Sequence, residues 1–247
     1  MLVCLLFSEA IVEDMPAHSP LSPYLELGDV PSLVGEATST IARAHRRPAA
    51  LRRAGVIVSE SVLRGAKLSA LLDGEEIETH ISPYAMLSPE TAEAAARTFR
   101  RAPAQVFARL DVAAGGPGRS LADDGPARLT ALARLITGSG GSGGSALDDG
   151  LVLAAVVHCE IVGRELFGPR SGVVGRVAAR CVLLASGVDP LGIAVPETYY
   201  HRHKADYAAV ARGWATSSAV EVTDALEFML RAFAAGGVEA DGIAQAA

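Results

Sequence analysis

Cysteines, aromatic residues and positive charge are all scarce in this chain of 247 residues. The three cysteines follow no metal-ligand spacing, and Cys159 and Cys181 lie within apolar helical runs, where a free thiol behaves as a small hydrophobic group. This usage indicates a reducing, cytoplasmic setting. The formal net charge of −6 argues against nucleic-acid binding, which requires Lys and Arg clustered on one face. The basic run from Arg43 to Arg53 is interpreted as a solvated helix face.

Long apolar runs are also missing. No segment approaches the roughly 18 uninterrupted apolar residues of a membrane span, so no membrane partner is expected. The short apolar run near the N-terminus has no positive region before it and reaches Glu9 and Glu13 before any cleavage-like site, which argues against a signal peptide. Residues 1–20 are expected to form an irregular tail.

What the chain has in abundance is alanine and other hydrophobic residues, which make up 50% of the sequence and are enough for one sizeable core. Apolar periodicity interrupted by Gly, Pro and Asp predicts an all-α fold with little or no β structure. The only strand-like pattern is a short run at residues 76–81. Helices are predicted at residues 31–48, 53–73, 88–114, 125–137, 147–164, 173–187, 203–213 and 219–235.

One low-complexity stretch interrupts this pattern. Residues 138–145 read GSGGSGGS, a composition that cannot bury enough apolar surface to offset the entropy of ordering it. We expect a flexible surface connection within one domain, and the sequence does not distinguish a natural loop from an engineered one. The domain is placed at residues 21–237, with its core at 147–235 and a C-terminal tail at 238–247.

The stretch AAVVHCEIVGRELFGPRSGVVGRVAARCVLLASG, residues 154–187, resembles the core of Fic-family proteins. In that family the signature HPFx(D/E)GNGRxxR lies in a loop between two helices. His158 falls on the histidine of the AxxHxxF pattern that precedes the loop. The apolar run from Arg176 to Gly187 matches the helix that follows the last arginine of the signature. The resemblance implies a helical Fic-like domain.

Counting back from Arg176 places the other positions. Phe167 matches the apolar anchor of the loop, whereas most reactive positions differ. Glu165 stands at the catalytic histidine, Leu166 at the proline, Pro169 at the metal-binding acidic residue, Arg170, Ser171 and Gly172 at Gly-Asn-Gly, and Val173 at the first arginine.

In active members, the resemblance implies, the histidine deprotonates a target hydroxyl, the acidic residue holds magnesium, and the glycines and arginines bind nucleotide phosphates. A chain that lacks the base, the metal ligand and the first arginine is expected to be a poor nucleotidyl transferase. No metal site is therefore predicted, and ATP or another nucleotide would bind without a clear magnesium ligand.

A second motif lies upstream of this core. Ser69-Ala-Leu-Leu-Asp73-Gly74 resembles the SxxxE(G/N) inhibitory motif of some Fic proteins, with aspartate in place of glutamate. In the family that glutamate pairs with the arginine that Val173 replaces. The motif is therefore expected to persist as a helix packed on the core.

An anion site is predicted at the start of the helix that contains Arg176. Free amides at a helix N-terminus, with arginines nearby, attract phosphate or carboxylate. The residues assigned to this site are Arg170, Ser171, Gly172, Gly175 and Arg176. In the alternative interpretation, Arg176 pairs with an internal carboxylate and the loop only connects two helices.

Glu165 and His158 are the candidate catalytic residues. A carboxylate at the position of a catalytic base can act as one if burial raises its pKa, whereas a glutamate after a helix is more often solvated, and Arg164 could neutralise it. His158 could face the same cavity, although a histidine among apolar residues is more often a hydrogen-bonded core residue.

Two classes of function follow. The first is a degenerate Fic-like pseudoenzyme that retains an anion or nucleotide-like pocket and acts in regulation or partner binding. The second is a repurposed enzyme that acts on a small molecule with Glu165 as general acid or base. The expected partners are a small anionic ligand or a protein, including a second copy of the chain. An enclosed cavity shared by Glu165, His158 and Arg176 would favour the enzyme. A solvated Glu165, with that cavity filled by side chains, would favour the pseudoenzyme.

Overall fold

The computed structural model describes residues 19–138 and 146–247, and within these ranges the chain is all-helical with no strand. The predictions for residues 1–18 and 139–145 lie outside the described residues. The helices are α1 Ser22–Leu25, α2 Val30–His45, α3 Pro48–Arg52, α4 Ala54–Asp73, α5 Ile77–Tyr84, α6 Ala92–Arg101, α7 Pro103–Ala113, α8 Gly125–Thr137, α9 Gly150–Gly163, α10 Ser171–Ser186, α11 Glu197–Arg202, α12 Lys204–Thr216 and α13 Ala219–Ala246.

The centre of the domain is the pair α9 and α10. Every residue of α9 from Gly150 to Ile161 is buried, and α10 is buried from Val173 to Ala185. A helix that is apolar on all sides must be enclosed by other elements, and α4, α6, α7, α12 and α13 supply contacts around the pair. The pair α9 and α10 thus lies at the centre of a hydrophobic core that also includes buried residues of the preceding helices.

The longest helix, α13, packs along α2 and continues to Ala246, so the predicted C-terminal tail is wrong. The sequence pattern places a helix end at the pair Gly236 and Gly237. Both glycines instead sit where other backbone approaches closely. A Cβ at Gly236 would lie 2.7 Å from the nitrogen of Pro196, and one at Gly237 would lie 2.7 Å from the nitrogen of Ile41.

Several other helix boundaries also differ from the prediction. The helix expected at 88–114 is divided at Ala102, which has φ −147° and ψ 62°, because the following Pro103 disfavours helical geometry in the residue before it. In the strand-like run at 76–81, residues 77–81 are helical and belong to α5. Its buried positions continue at helical spacing into the following turn, through His80, Pro83, Tyr84 and Leu87.

No helix in the described ranges combines the length and apolarity needed to cross a lipid bilayer.

Candidate functional site

A buried arginine on α10 is the centre of the most highly connected polar cluster in the predicted site. The Arg176 side chain is fully buried, and each nitrogen of its guanidinium has a side-chain partner. Nε donates to Ser69 Oγ at 2.8 Å, Nη1 donates to Tyr207 Oη at 3.2 Å, and Nη2 donates to the carboxylate of Asp73. We refer to Ser69, Asp73, Arg176 and Tyr207 as the Arg176 cluster.

The end of α4 positions two members of this cluster. Ser69 and Asp73 are four residues apart, so they lie on one face of the helix. Asp73 is the last helical residue, and Gly74 follows it with φ 75°, a left-handed conformation that ends the helix without the steric penalty of a side chain. The predicted inhibitory motif is therefore a helix end packed on the core, and it contacts Arg176 directly.

Gly172 leaves space for the ion pair. It lies one turn before Arg176 in α10, and a Cβ at this position would be 2.9 Å from Asp73 Oδ1 and 3.0 Å from Arg176 Nη2. The Asp73 carboxylate thus occupies the start of α10, where the sequence predicts an anion.

His80 is a second side chain that contacts the Asp73 carboxylate. Its Nε2 lies 3.0 Å from Asp73 Oδ2, and its side chain is buried. Burial raises the pKa of the Asp73 carboxyl, but the hydrogen bond from His80 and the charge and hydrogen bond of Arg176 outweigh that effect and hold the pKa below its ordinary value. The carboxylate is therefore ionised at neutral pH, although only 21% of its side chain is exposed.

His158 contacts the Arg176 cluster through Tyr207 and packs among tyrosine rings. Its Nε2 is 3.0 Å from Tyr207 Oη, and its ring packs against Tyr200 at a centroid distance of 5.3 Å. Burial, together with the charge of Arg176, lowers the pKa of His158 to about 3. Burial also raises the pKa of Tyr207 to about 12. His158 is therefore neutral at physiological pH and a weak base.

Glu165 lies at the surface, beyond the C-terminus of α9. Its amide donates to Val162 O at 3.1 Å and the amide of Leu166 donates to Ile161 O at 3.1 Å, which is the Schellman pattern that closes helices. The pattern requires left-handed backbone at Glu165, where φ is 49°. The structure thus places Glu165 in solvent and His158 in the interior.

Arg164, the residue expected to neutralise Glu165, has a different partner. Its Nη2 donates to Ser217 Oγ at 2.6 Å.

The other residues predicted to bind the anion make contacts within the protein. Arg170 Nε donates to the buried Asp111 Oδ1 at 2.7 Å, and Ser171 Oγ accepts from the amide of Phe167 at 2.9 Å. Gly175 faces α9, where a Cβ would lie 2.6 Å from Val162 Cγ2. These three positions close the loop and pack the two central helices.

Arg180, on the same helix as Arg176, belongs to a second buried polar group, with Tyr84 and Glu197. Tyr84 Oη donates to Glu197 Oε1 at 2.7 Å, and Arg180 Nη1 lies 3.6 Å from the same oxygen. Gly65 allows the approach, since a Cβ there would be 2.4 Å from Arg180 Nη1.

The sequence did not indicate His80 or Tyr207 as members of the site. His80 has a local signal, because the turn at Gly74 reverses the chain and brings the next helix back toward Asp73. Tyr207 has none, since only the docking of α12 on α9 brings it to Arg176.

Among the described residues, no group of three or more His, Cys, Asp or Glu side chains is arranged to hold a metal ion. The geometry therefore defines an all-helical protein with a buried arginine paired to an internal carboxylate.

No protein-family model and no curated protein sequence matches this chain. The Fic resemblance stays a prediction.

Proposed function

We propose that this chain is a Fic-like protein without transferase activity, in which Arg176 binds a phosphate-bearing or nucleotide-like anion when Asp73 leaves it, and that this exchange serves regulation or partner binding. The observation that carries the proposal is the contact of Asp73 and Ser69 with the Arg176 guanidinium beside Gly172. Asp73 acts as an internal anion at the predicted anion site.

The position of Asp73 supports an exchangeable role. A carboxylate in the last turn of a helix meets the negative end of the helix dipole, which is locally unfavourable by about 0.3–1 kcal/mol. Asp73 therefore depends on Arg176 and His80 for its stabilisation. A ligand phosphate with more oxygens than one carboxylate could satisfy the same donors from outside the helix.

The access to the cluster is on the Asp73 side. Arg176 and Ser69 are buried, whereas Asp73 reaches the surface and is followed by the exposed residues Gly74 and Glu75. Lys204 Nζ donates to the carbonyl of Leu71 at 3.2 Å, so a further positive charge lies beside the end of α4. An entering anion would meet positive charge before it reaches Arg176.

Calorimetric titration with ATP, with and without magnesium, tests the proposal on four proteins: wild type, Asp73→Asn, Asp73→Asn/Arg176→Met, and Asp123→Asn as the control. Asp73→Asn keeps the size of the side chain and removes the competing charge. Asp123 is exposed and lies outside the cluster, so its variant makes the same chemical change elsewhere.

We expect Asp73→Asn to bind ATP at least about tenfold more tightly than wild type, because an arginine freed from its carboxylate gains a charge-assisted partner in the phosphate. The double variant should lose this binding, and Asp123→Asn should match wild type. If Asp73→Asn folds but releases no heat with ATP, Arg176 is a packing residue and the proposal is wrong.

A further inference from the structure

An open groove runs along the first half of α4 and has a volume of about 600 Å³. Its apolar wall is formed by Val56, Leu63 and Pro89, and Val56 and Leu63 are 52% and 40% exposed. Gly55 also lines the groove, and a Cβ there would meet nothing within 4 Å. The groove thus exposes hydrophobic surface that nothing in the described part of the chain covers.

Two carboxylates give this groove a negative edge. Glu60 and Glu90 both line it, and they come from different segments of the chain. Glu60 already pairs with Arg64, whereas Glu90 is exposed and accepts a hydrogen bond from Ser88 Oγ at 2.7 Å. A complementary occupant would therefore carry an apolar side chain next to a basic one.

The chain itself carries such a pair immediately before the groove. Leu51, on α3, is 81% exposed, the largest exposed fraction of any large hydrophobic residue in the described ranges. The adjacent Arg52 is also exposed and pairs with no residue within those ranges. An apolar side chain this exposed gains free energy when a partner removes it from water.

We propose that two copies of the chain associate through this surface, with Leu51 of each copy in the α4 groove of the other and Arg52 against Glu90. Only three residues separate Leu51 from Gly55, so the projecting residue and the groove are close to each other in the chain. A two-fold axis beside them pairs each Leu51 with the opposite groove, as in the isologous interfaces of most homodimers.

Sedimentation velocity over a range of concentrations tests the association. The weight-average mass of wild type should rise from the chain mass of 25.5 kDa toward twice that value as the concentration increases. Leu51→Asp removes the projecting side chain, and Gly55→Leu fills the groove. Each should raise the dissociation constant at least about tenfold, because both act at the apolar centre of the interface.

Gly35→Leu is the matched control for Gly55→Leu. Gly35 lies on the exposed face of α2, and a Cβ there also meets nothing within 4 Å. The control makes the same substitution in a helix and should leave the dissociation constant unchanged.

A charge exchange tests the pairing of Arg52 with Glu90. Arg52→Glu and Glu90→Arg should each weaken the dimer at least about tenfold, because like charges then face each other. The combined variant should restore the affinity of wild type. A wild-type chain that stays monomeric overturns the proposal, as does a dimer that Leu51→Asp and Gly55→Leu leave intact. A combined variant as weak as the single ones contradicts the pairing.

Discussion

Arg176 Nη2 donates a hydrogen bond to the carboxylate of Asp73, a residue 103 positions earlier in the chain. The contact joins the end of α4 to the start of α10. Because Arg176 is buried, its positive charge needs the Asp73 carboxylate for stabilisation. The energetic coupling of the two residues can be measured.

A double-mutant cycle on Asp73→Asn and Arg176→Met should give a coupling of about 2 kcal/mol in the free energy of unfolding. Either single variant leaves one member of a largely buried ion pair without its partner, whereas the double variant removes both. Urea denaturation of the four proteins measures the coupling.

The exposed pair Glu93 and Arg97 provides the control cycle. These residues are one turn apart on α6, and their side chains are 85% and 56% exposed. Water and salt screen such pairs, so a much smaller coupling is expected. Equal coupling energies in the two cycles would show that burial does not strengthen the pair of Asp73 and Arg176, which would contradict the prediction.

The pKa of His158 predicts a loss of stability in mild acid. Its folded-state pKa is about 3, below the ordinary value of 6.5, so below pH 6.5 the unfolded chain binds a proton that the folded chain does not. This contribution to stability is present above pH 6.5 and declines as the pH falls toward 3. Between pH 6.5 and pH 5 the resulting loss in the free energy of unfolding is roughly 2 kcal/mol.

Unfolding free energies at pH 6.5 and pH 5 check this expectation. His158→Gln should lose less stability over this range than wild type, since glutamine does not titrate. The exposed His201 provides the control variant His201→Gln, which should follow the wild-type curve. Parallel curves for wild type and His158→Gln would contradict a neutral, buried His158.

Glu165→Gly should stabilise the protein by about 1 kcal/mol. The left-handed backbone at Glu165 is strained for a residue with a Cβ, and glycine relieves that strain. Glu165→Ala removes the same carboxylate but keeps the strain, so it should give no comparable gain. Thermal unfolding distinguishes the three proteins. A destabilised Glu165→Gly would show that the carboxylate makes a contact that the helix-closing role does not explain.

Gly175→Ala should destabilise the protein by about 2 kcal/mol, because the added methyl group overlaps Val162 in the contact between α9 and α10. Gly35→Ala, on the open face of α2, should instead stabilise it by about 0.5–1 kcal/mol. Chemical denaturation measures both. If Gly175→Ala folds as stably as wild type, then close helix packing is not the reason for this glycine.

Apolar periodicity interrupted by Gly, Pro and Asp predicted the positions of several helices well. Helices were predicted at 147–164 and 173–187, where the structure has α9 and α10, and α8 begins and ends at the predicted residues 125 and 137. The break at Ala102 is a local effect of Pro103 that the prediction missed, whereas the error at the end of α13 arises from tertiary packing. Gly236 and Gly237 look like a helix end in sequence, yet they allow two backbones to approach α13.

The site was predictable only in part. The resemblance placed Ser69 and Asp73 on a helix against the core, but it matched the arginine partner of the acidic residue to the position of Val173. The structure pairs them with Arg176, three residues later and on the following turn of α10. Which arginine of α10 the end of α4 contacts depends on how the two helices pack. The spacing of residues in the sequence does not determine that packing.

A crystal structure of Asp73→Asn grown with ATP tests the central claim most directly. The account predicts phosphate oxygens within hydrogen-bonding distance of the Arg176 guanidinium, with the substituted side chain at position 73 displaced from the place that the carboxylate occupies in wild type. A structure in which Arg176 still contacts residues 69 and 73, with no nucleotide beside it, would contradict the account.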